Sequence, residues 1–308
     1  MSIEWLERWP GVHRHERLSR HSQFGIGGPA DLFLRVDDPA SVAELIGRCT
    51  ESGVAVTVLG AGSNALIQDG GVRGLALRVM SRELTTGDGE VTLDAGTMLP
   101  RAALDLARLG LGGMEWGIGV PGSCGASIWG NAGAFGGEVA TSLISCEVAT
   151  PDGTTCWMTA AECAFGYRDS RFKNDLRGHV VLRGRFAVTP DDAAAVRQRT
   201  DAVQAERKRT QPYGVRSLGS TFKNPPGDFA GRLIEAAGLG GQSRGGAQIS
   251  PKHANFILNI DHATAADVLV LVDIARDEVA SRFDVVLERE IVLLGEPVTV
   301  ATPGRGAP

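Results

Sequence analysis

The feature that most restricts this chain is the glycine-dense stretch from Gly112 to Gly137, GGMEWGIGVPGSCGASIWGNAGAFGG. Each glycine in a helix or strand interior costs up to about 1 kcal/mol relative to alanine, because the unfolded backbone has more freedom to lose. The stretch therefore reads as a long loop that wraps something. Two smaller clusters precede it, Gly25-Ile26-Gly27-Gly28-Pro29-Ala30-Asp31 and Gly60-Ala61-Gly62-Ser63-Asn64. Ordering three such segments is costly in conformational entropy, and a large ligand needing close main-chain approach would offset that cost. Structural turns are the competing explanation.

The elements around these clusters alternate in type. Ser41–Ser52 places Val42, Leu45 and Ile46 at helical spacing, and Val54–Leu59 is a short β-branched run, so a helix followed by a buried strand is expected. Leu75, Leu77 and Val79 alternate as in a strand, and Ala102–Leu109 suits a helix stopped by Gly110. Pro151-Asp152-Gly153 joins two strand-like runs as a hairpin. Val180–Val188 reads as a further strand, and Pro190–Arg209 turns Ala-, Arg- and Asp-rich with helical propensity. Beyond it, Asp228–Ala237 suggests an amphipathic helix with Phe229, Leu233 and Ile234 inward and Gly238 as its stop. A strand at Asn255–Ile260 and a helix at Ala265–Phe283, with Val268, Leu271, Val272, Ile274 and Ala275 on its core side, complete two α+β units. The tail after Gly295 is expected to fray.

GAGSNA, Gly60–Ala65, superficially matches the first turn of a dinucleotide-binding βαβ unit. The context fails: no helix is credible after Asn64, and Leu75 begins a strand where a crossover helix should still run. What remains is a series of backbone N–H groups, with Ser63 and Asn64 adding side-chain donors, able to nest a diphosphate without a lysine. The formal net charge of −5 offers no general attraction for nucleic acid or an anionic membrane. The five cysteines lack CxxC spacing, which argues against a metal site and for small buried hydrophobes. No apolar stretch of about 20 residues occurs, and the N-terminal text lacks a signal-like apolar core of about 7–15 residues, so a cytoplasmic protein is expected.

Three segments carry the remaining chemistry. Phe165–Lys173, FGYRDSRFK, concentrates charge and aromatic surface, and Arg168 has the planar fork that holds carboxylates; a solvated loop is the plainer reading. Leu218–Pro226, LGSTFKNPP, sets Ser220 before a cation and an amide, where a turn or cap role is the more usual one. There is no G-x-S-x-G elbow and no histidine spaced for a triad, so a hydrolytic serine is disfavoured. Glu290 opens an apolar strand, the usual place for a surface acid.

Taken in order, GIGGPAD, LGAGSNALI, GVPGSCGASIWGNAGAFGGE, FGYRDSRFK, GSTFKNPPG and LEREIVLLGE resemble the UDP-N-acetylenolpyruvoylglucosamine reductase family from about residue 18 to 296. The chain is similar to the shorter subclass without an extra substrate-covering tyrosine loop. The resemblance implies an α+β architecture: an FAD-binding fold of the vanillyl-alcohol oxidase (PCMH) type in two subdomains, residues 1–78 and 79–208. A substrate-binding domain, 209–297, and a frayed tail, 298–308, would follow. It further implies FAD as cofactor, held by Gly60, Ala61, Gly62, Ser63, Asn64, Gly119, Pro121, Ser123, Asn131 and Gly133. NADPH would be co-substrate, and UDP-N-acetylglucosamine enolpyruvate would be reduced to UDP-N-acetylmuramate in a cytoplasmic step of peptidoglycan synthesis. Arg168 and Glu290 would stabilise the developing enolate and Ser220 would donate the proton. Tyr167, Asn224, Lys223 and His253 would line the substrate site, Lys223 being expected to assist Ser220. No metal, nucleic acid or membrane partner is implied, and a monomer is expected.

Ser22, Ala126 and Trp129-Gly130 depart from the usual family text near the flavin loops. The alternative activity is an FAD-dependent alcohol oxidase or dehydrogenase of the same fold, which would have no use for the Arg168, Ser220 and Glu290 trio. A non-catalytic nucleotide-sugar sensor would bind without turnover.

Overall fold

The computed structural model describes residues 3–298, so the part of the expected frayed tail beyond Val298 lies outside the described residues. Three antiparallel or mixed sheets organise the chain. The first runs His13–Arg17, Pro29–Val36, Val72–Val79, Val56–Leu59, with the outer pair antiparallel and the rest parallel. Its parallel pairing requires a crossover, supplied by the helix Pro39–Glu51. Asp38 caps that helix by accepting from the Ser41 N–H at 2.9 Å, and Val42, Leu45, Ile46 and Cys49 are buried along one face.

The second sheet is antiparallel: Thr155–Thr159, Leu143–Ala149, Val180–Ala187, Glu90–Asp94, Leu84–Gly87. The Asp152-Gly153 hairpin turn is present as expected, and Gly153 (φ +83°) lies against Gly47 of the first helix. A side chain at Gly47 would sit 2.9 Å from the Gly153 Cα, so this glycine pair lets the two sheets meet.

The stretch 112–137 is not all loop. Cys124–Gly130 forms a short helix lying directly on the second sheet: a Cβ at Gly184 would stand 2.5 Å from Ile128 Cδ1, and one at Gly125 would stand 2.8 Å from Ala95 Cβ. The propensity cost of Gly125 is thus outweighed by close helix–sheet packing over Ile128, Leu93 and Phe186. Asn131, in the left-handed conformation (φ +45°), ends the helix.

The third sheet, Arg216–Ser220, Phe256–Asn259, Ala247–Ile249, Ser243–Arg244, is covered by helices Ala230–Ala236 and Ala265–Phe283. Val268, Leu271, Val272 and Ala275 are buried and Ile274 packs beside them, as the helical spacing required. Phe229 is the exception. It is the residue before the first turn of its helix, in extended conformation, and is 66% exposed rather than inward. Of the cysteines, Cys49, Cys124, Cys146 and Cys163 are buried, whereas Cys156 is exposed on the edge strand of the second sheet.

One pairing binds the C-terminal domain back to the first sheet's region. Val292–Leu294 adds in parallel to Ala65–Ile67, the strand leaving the GAGSNA loop, and Glu296 N–H continues the contact to the Gly71 carbonyl at 2.9 Å. Glu296, the first residue of the tail expected to fray after Gly295, is therefore pinned.

Candidate active site

The Gly60–Asn64 loop shows why its glycines are needed. A Cβ on Gly60 would lie 2.7 Å from Ala126 Cβ and 2.9 Å from Ser123 Oγ, and one on Gly62 would lie 2.6 Å from the His21 carbonyl. These glycines admit neighbouring protein loops, a requirement independent of any ligand. They also explain Ala126 and Ser22: Ala126 fits because residue 60 lacks a side chain, and Ser22 Cα backs Gly62. Among the described residues the N–H groups of Ala61, Gly62, Ser63 and Asn64 donate to no protein acceptor. Ser127, next to Ala126, buries a hydroxyl without a partner among the described residues, and a Cβ on the neighbouring Gly122 would lie 3.2 Å from it. Successive unpaired amides with no lysine among them suit a diphosphate, and the residues present fit the flavin dinucleotide. Gly119 is enclosed by Phe135 and Ala134, and Pro121 is tied to this region by accepting from Gln23 Nε2 at 3.0 Å.

The carboxylate and guanidinium expected to act together do meet. Arg168 Nε donates to Glu290 Oε1 at 3.1 Å across 122 residues of sequence. The contact is single rather than forked, because the other two nitrogens donate to main chain: Nη1 to the Asn131 carbonyl at 3.4 Å and Nη2 to that of Gly133 at 2.6 Å. Three of its five N–H donors are thus used by protein, leaving the others for a ligand. Asn131 and Gly133, expected to touch the cofactor, here carry Arg168. Asn131 is fully buried, gives Nδ2–H to the Gly166 carbonyl at 2.8 Å and accepts from Ala140 N–H at 3.0 Å, fixing the turn that bears Arg168.

Glu290 is held by its main chain. Its N–H donates to the Thr221 carbonyl at 2.9 Å, and its own carbonyl accepts from Asn64 Nδ2 at 3.2 Å. The glycine loop, the Ser220 strand and the glutamate are therefore joined through two hydrogen bonds. Burial pushes the Glu290 carboxyl above the usual range, opposed by the positive charges of Arg168, Lys173 and Lys223.

Ser220 ends its strand opposite Phe256, and among the described residues its hydroxyl makes no hydrogen bond. What fixes it is Asn255, a residue given no role from the sequence. The Asn255 amide accepts from Phe222 N–H at 2.9 Å and donates to the Phe222 carbonyl at 2.8 Å, while its main-chain carbonyl accepts from Thr221 N–H at 2.7 Å. A polar residue opening an apolar strand was the sole signal for it.

Lys223, expected to assist Ser220, has an acidic partner of its own. Its ammonium pairs with Glu288 Oε1 at 2.6 Å, because the Lys223 and Glu288 main chains are themselves bonded and set the side chains together. Tyr167 is half-exposed, stacked under the Arg168 guanidinium at 5.2 Å, and its hydroxyl lies 3.5 Å from the Asn224 N–H. Asn224 Oδ1 accepts from Ala230 N–H at 3.1 Å. The His253 ring packs edge-on to Phe256 at 4.9 Å, and its Nδ1 accepts from Asn255 N–H at 3.3 Å. Beside Glu290 opens a cleft of about 350 Å³ lined by Trp129, Lys173, Lys223, Glu288 and Arg289. Among the described residues no group of three or more His, Cys, Asp or Glu could hold a metal ion, and no helix is long and apolar enough to cross a membrane.

Residues 30–159 match the FAD binding domain family, and residues 211–294 match the C-terminal domain of UDP-N-acetylenolpyruvoylglucosamine reductase. The chain is 41% identical to UDP-N-acetylenolpyruvoylglucosamine reductase 2 of Symbiobacterium thermophilum over 94% of each chain. It is 39% identical to the reductase of Levilactobacillus brevis, again over 94% of each. The crystal structure of UDP-N-acetylenolpyruvylglucosamine reductase (MurB) from Thermus caldophilus superposes with a TM-score of 0.80 at 36% identity, over 92% of this chain and 99% of that one. The chain is α+β, pairs an FAD-binding fold of the PCMH type with a C-terminal domain of its own, and belongs to the UDP-N-acetylenolpyruvoylglucosamine reductase family.

Proposed function

We propose that Arg168, Ser220 and Glu290 carry the reduction of the enolpyruvyl group of UDP-N-acetylglucosamine enolpyruvate to UDP-N-acetylmuramate. NADPH is the reductant, and the product is a peptidoglycan precursor. Residues 1–78 and 79–208 cradle the flavin and 209–297 carry the substrate face. When bound, FAD would supply the hydride-transfer chemistry between NADPH and the terminal carbon of the enolpyruvyl group. Ala61, Gly62, Ser63 and Asn64 would hold its diphosphate through their main-chain N–H groups.

Negative charge developing on the enolpyruvyl carboxylate is met by the free N–H donors of Arg168. Glu290 fixes the guanidinium in advance, so little reorganisation is needed as charge appears. Ser220, whose hydroxyl is unengaged among the described residues, gives its proton to the carbon next to the carboxylate. Tyr167 and Asn224 line the approach. The observation that carries this reading is the Arg168–Glu290 bond, assembled from segments 122 residues apart and tied through Thr221 to the Ser220 strand. An alcohol oxidase needs no such trio. We take the chain to act as a cytoplasmic monomer, where the sugar nucleotide and NADPH are available.

The test is Ser220→Ala in rapid-mixing experiments. Reduction of the flavin by NADPH should proceed nearly as in the parent, while reoxidation by the enolpyruvyl sugar nucleotide should slow by roughly 10²–10⁴-fold. Equal loss in both halves would remove Ser220 from its assigned role.

A further inference from the structure

Arg168 stands at φ +55°, a left-handed backbone in which a side chain with a Cβ is strained by roughly 1–2 kcal/mol. It occupies the second central position of the reversal closed by the mutual Gly166–Asp169 hydrogen bonds, where Gly or Asn is usual. Something must hold the arginine there, and one side chain reaches its carbonyl. Lys173, one turn further along in the short 3₁₀ segment Arg171–Lys173, donates its ammonium to the Arg168 carbonyl. The same ammonium sits 4.8 Å over the Trp129 ring, and the Trp129 carbonyl in turn accepts from Ser170 Oγ at 2.6 Å. Trp129, Ser170 and Lys173 thus form a support beneath the Arg168 turn, with Lys173 and Trp129 also lining the cleft beside Glu290.

We propose that Lys173 is a positioning residue for the reduction step: by capping the Arg168 carbonyl from its seat on Trp129, it holds the strained turn that aims the guanidinium at Glu290. This rests on the assignment of Arg168 and Glu290 to catalysis. The groups facing the ammonium are Asp169 and Glu290, which favour its charge, and Lys223 and Arg168, which oppose it; burial, the largest influence, pushes the Lys173 ammonium down. The positive charge of Lys173 also lowers the Glu290 carboxyl, against the burial that raises it. Removing Lys173 therefore has two consequences. Arg168 loses the cap on its carbonyl, and Glu290 takes up its proton at higher pH.

The experiment measures reoxidation of the NADPH-reduced, FAD-loaded protein by the enolpyruvyl sugar nucleotide as a function of pH, for parent, Lys173→Met, Lys173→Arg and Arg168→Gln. Lys173→Met should slow reoxidation by roughly tenfold to a hundredfold and move the acid limb of the profile to higher pH. Lys173→Arg, which keeps charge and donor, should recover most of the rate and the limb. A crystal structure of Lys173→Met should show Arg168 withdrawn from Glu290. The inference is overturned if Lys173→Met reoxidises within about twofold of the parent with the limb unmoved, or if it slows while Arg168 keeps its place on Glu290. If Arg168→Gln also reoxidises at the parent rate, the catalytic assignment falls and this inference with it. A slow Arg168→Gln beside a normal Lys173→Met overturns the inference alone.

Discussion

Replacing Asn255 by alanine should destabilise the third sheet's unit and loosen the site at once. Asn255 is 2% exposed and Phe222 is 1% exposed, so neither end of the amide clamp reaches bulk water. Truncation leaves the Phe222 N–H and carbonyl without the partners now at 2.9 and 2.8 Å. Each orphaned buried group costs about 1–3 kcal/mol, giving about 2–6 kcal/mol for the pair, with the lower end reached if a water enters the space of the lost amide. The Thr221 N–H bond to the residue 255 main-chain carbonyl survives the change, so the strand itself is retained. Chemical denaturation of parent and Asn255→Ala at a series of FAD concentrations, extrapolated to zero ligand so that a change in FAD affinity is separated out, reads this directly. A loss of at least about 2 kcal/mol is expected. Unfolding free energies within about 0.5 kcal/mol of each other would refute the claim that this clamp fixes the Ser220–Lys223 segment.

Arg168→Lys should lower the rate of substrate reduction severely, since an ammonium cannot reach Glu290 and the Asn131 and Gly133 carbonyls together; stopped-flow reoxidation at saturating substrate checks it. Gly60→Ala should reduce both flavin content and stability, by about 1–3 kcal/mol for the latter, because its methyl would collide with Ala126 and Ser123; absorbance per protein and thermal unfolding report the two effects. Glu290 must be ionised to hold Arg168, and burial raises its carboxyl. The reoxidation rate should therefore fall as pH drops through a value above the ordinary carboxylate range, and Glu290→Gln should be slow at every pH. The same raised carboxyl means the folded state binds its proton more readily than the unfolded chain does. Glu290 thus costs stability as pH rises through that window, a loss that Glu290→Gln should lack in denaturation across pH.

The local elements were legible wherever one periodicity ruled. Ala265–Phe283 shows its apolar face at helical spacing, and the Asp152-Gly153 turn lies between alternating runs. The failures came where packing overrode propensity. Gly125 reads as a helix breaker, yet its missing side chain is what lets Cys124–Gly130 lie on the sheet near Ala95. Phe229 has the right spacing for a buried face, but it precedes the first turn and so is not yet on the helix. The glycine loops meet a need their sequence does not show: Gly60 and Gly62 admit Ala126 and His21 as well as leaving amides unpaired. The trio itself could be named only through the ordered motifs, since nothing local marks Glu290. Its place follows from the parallel pairing of Val292–Leu294 with Ala65–Ile67, a contact across more than two hundred residues that no pattern in either segment encodes. Lys223 illustrates the same limit. Its neighbour in sequence is the Ser220 turn, but its partner in space is Glu288.

The most direct measurement is the visible absorption of the purified protein through one catalytic cycle. A yellow protein whose flavin band bleaches with NADPH and returns on adding UDP-N-acetylglucosamine enolpyruvate, with one UDP-N-acetylmuramate formed per flavin, is the outcome the account requires. A protein that takes up no flavin, or a bleached one that the enolpyruvyl sugar nucleotide leaves colourless, would contradict it.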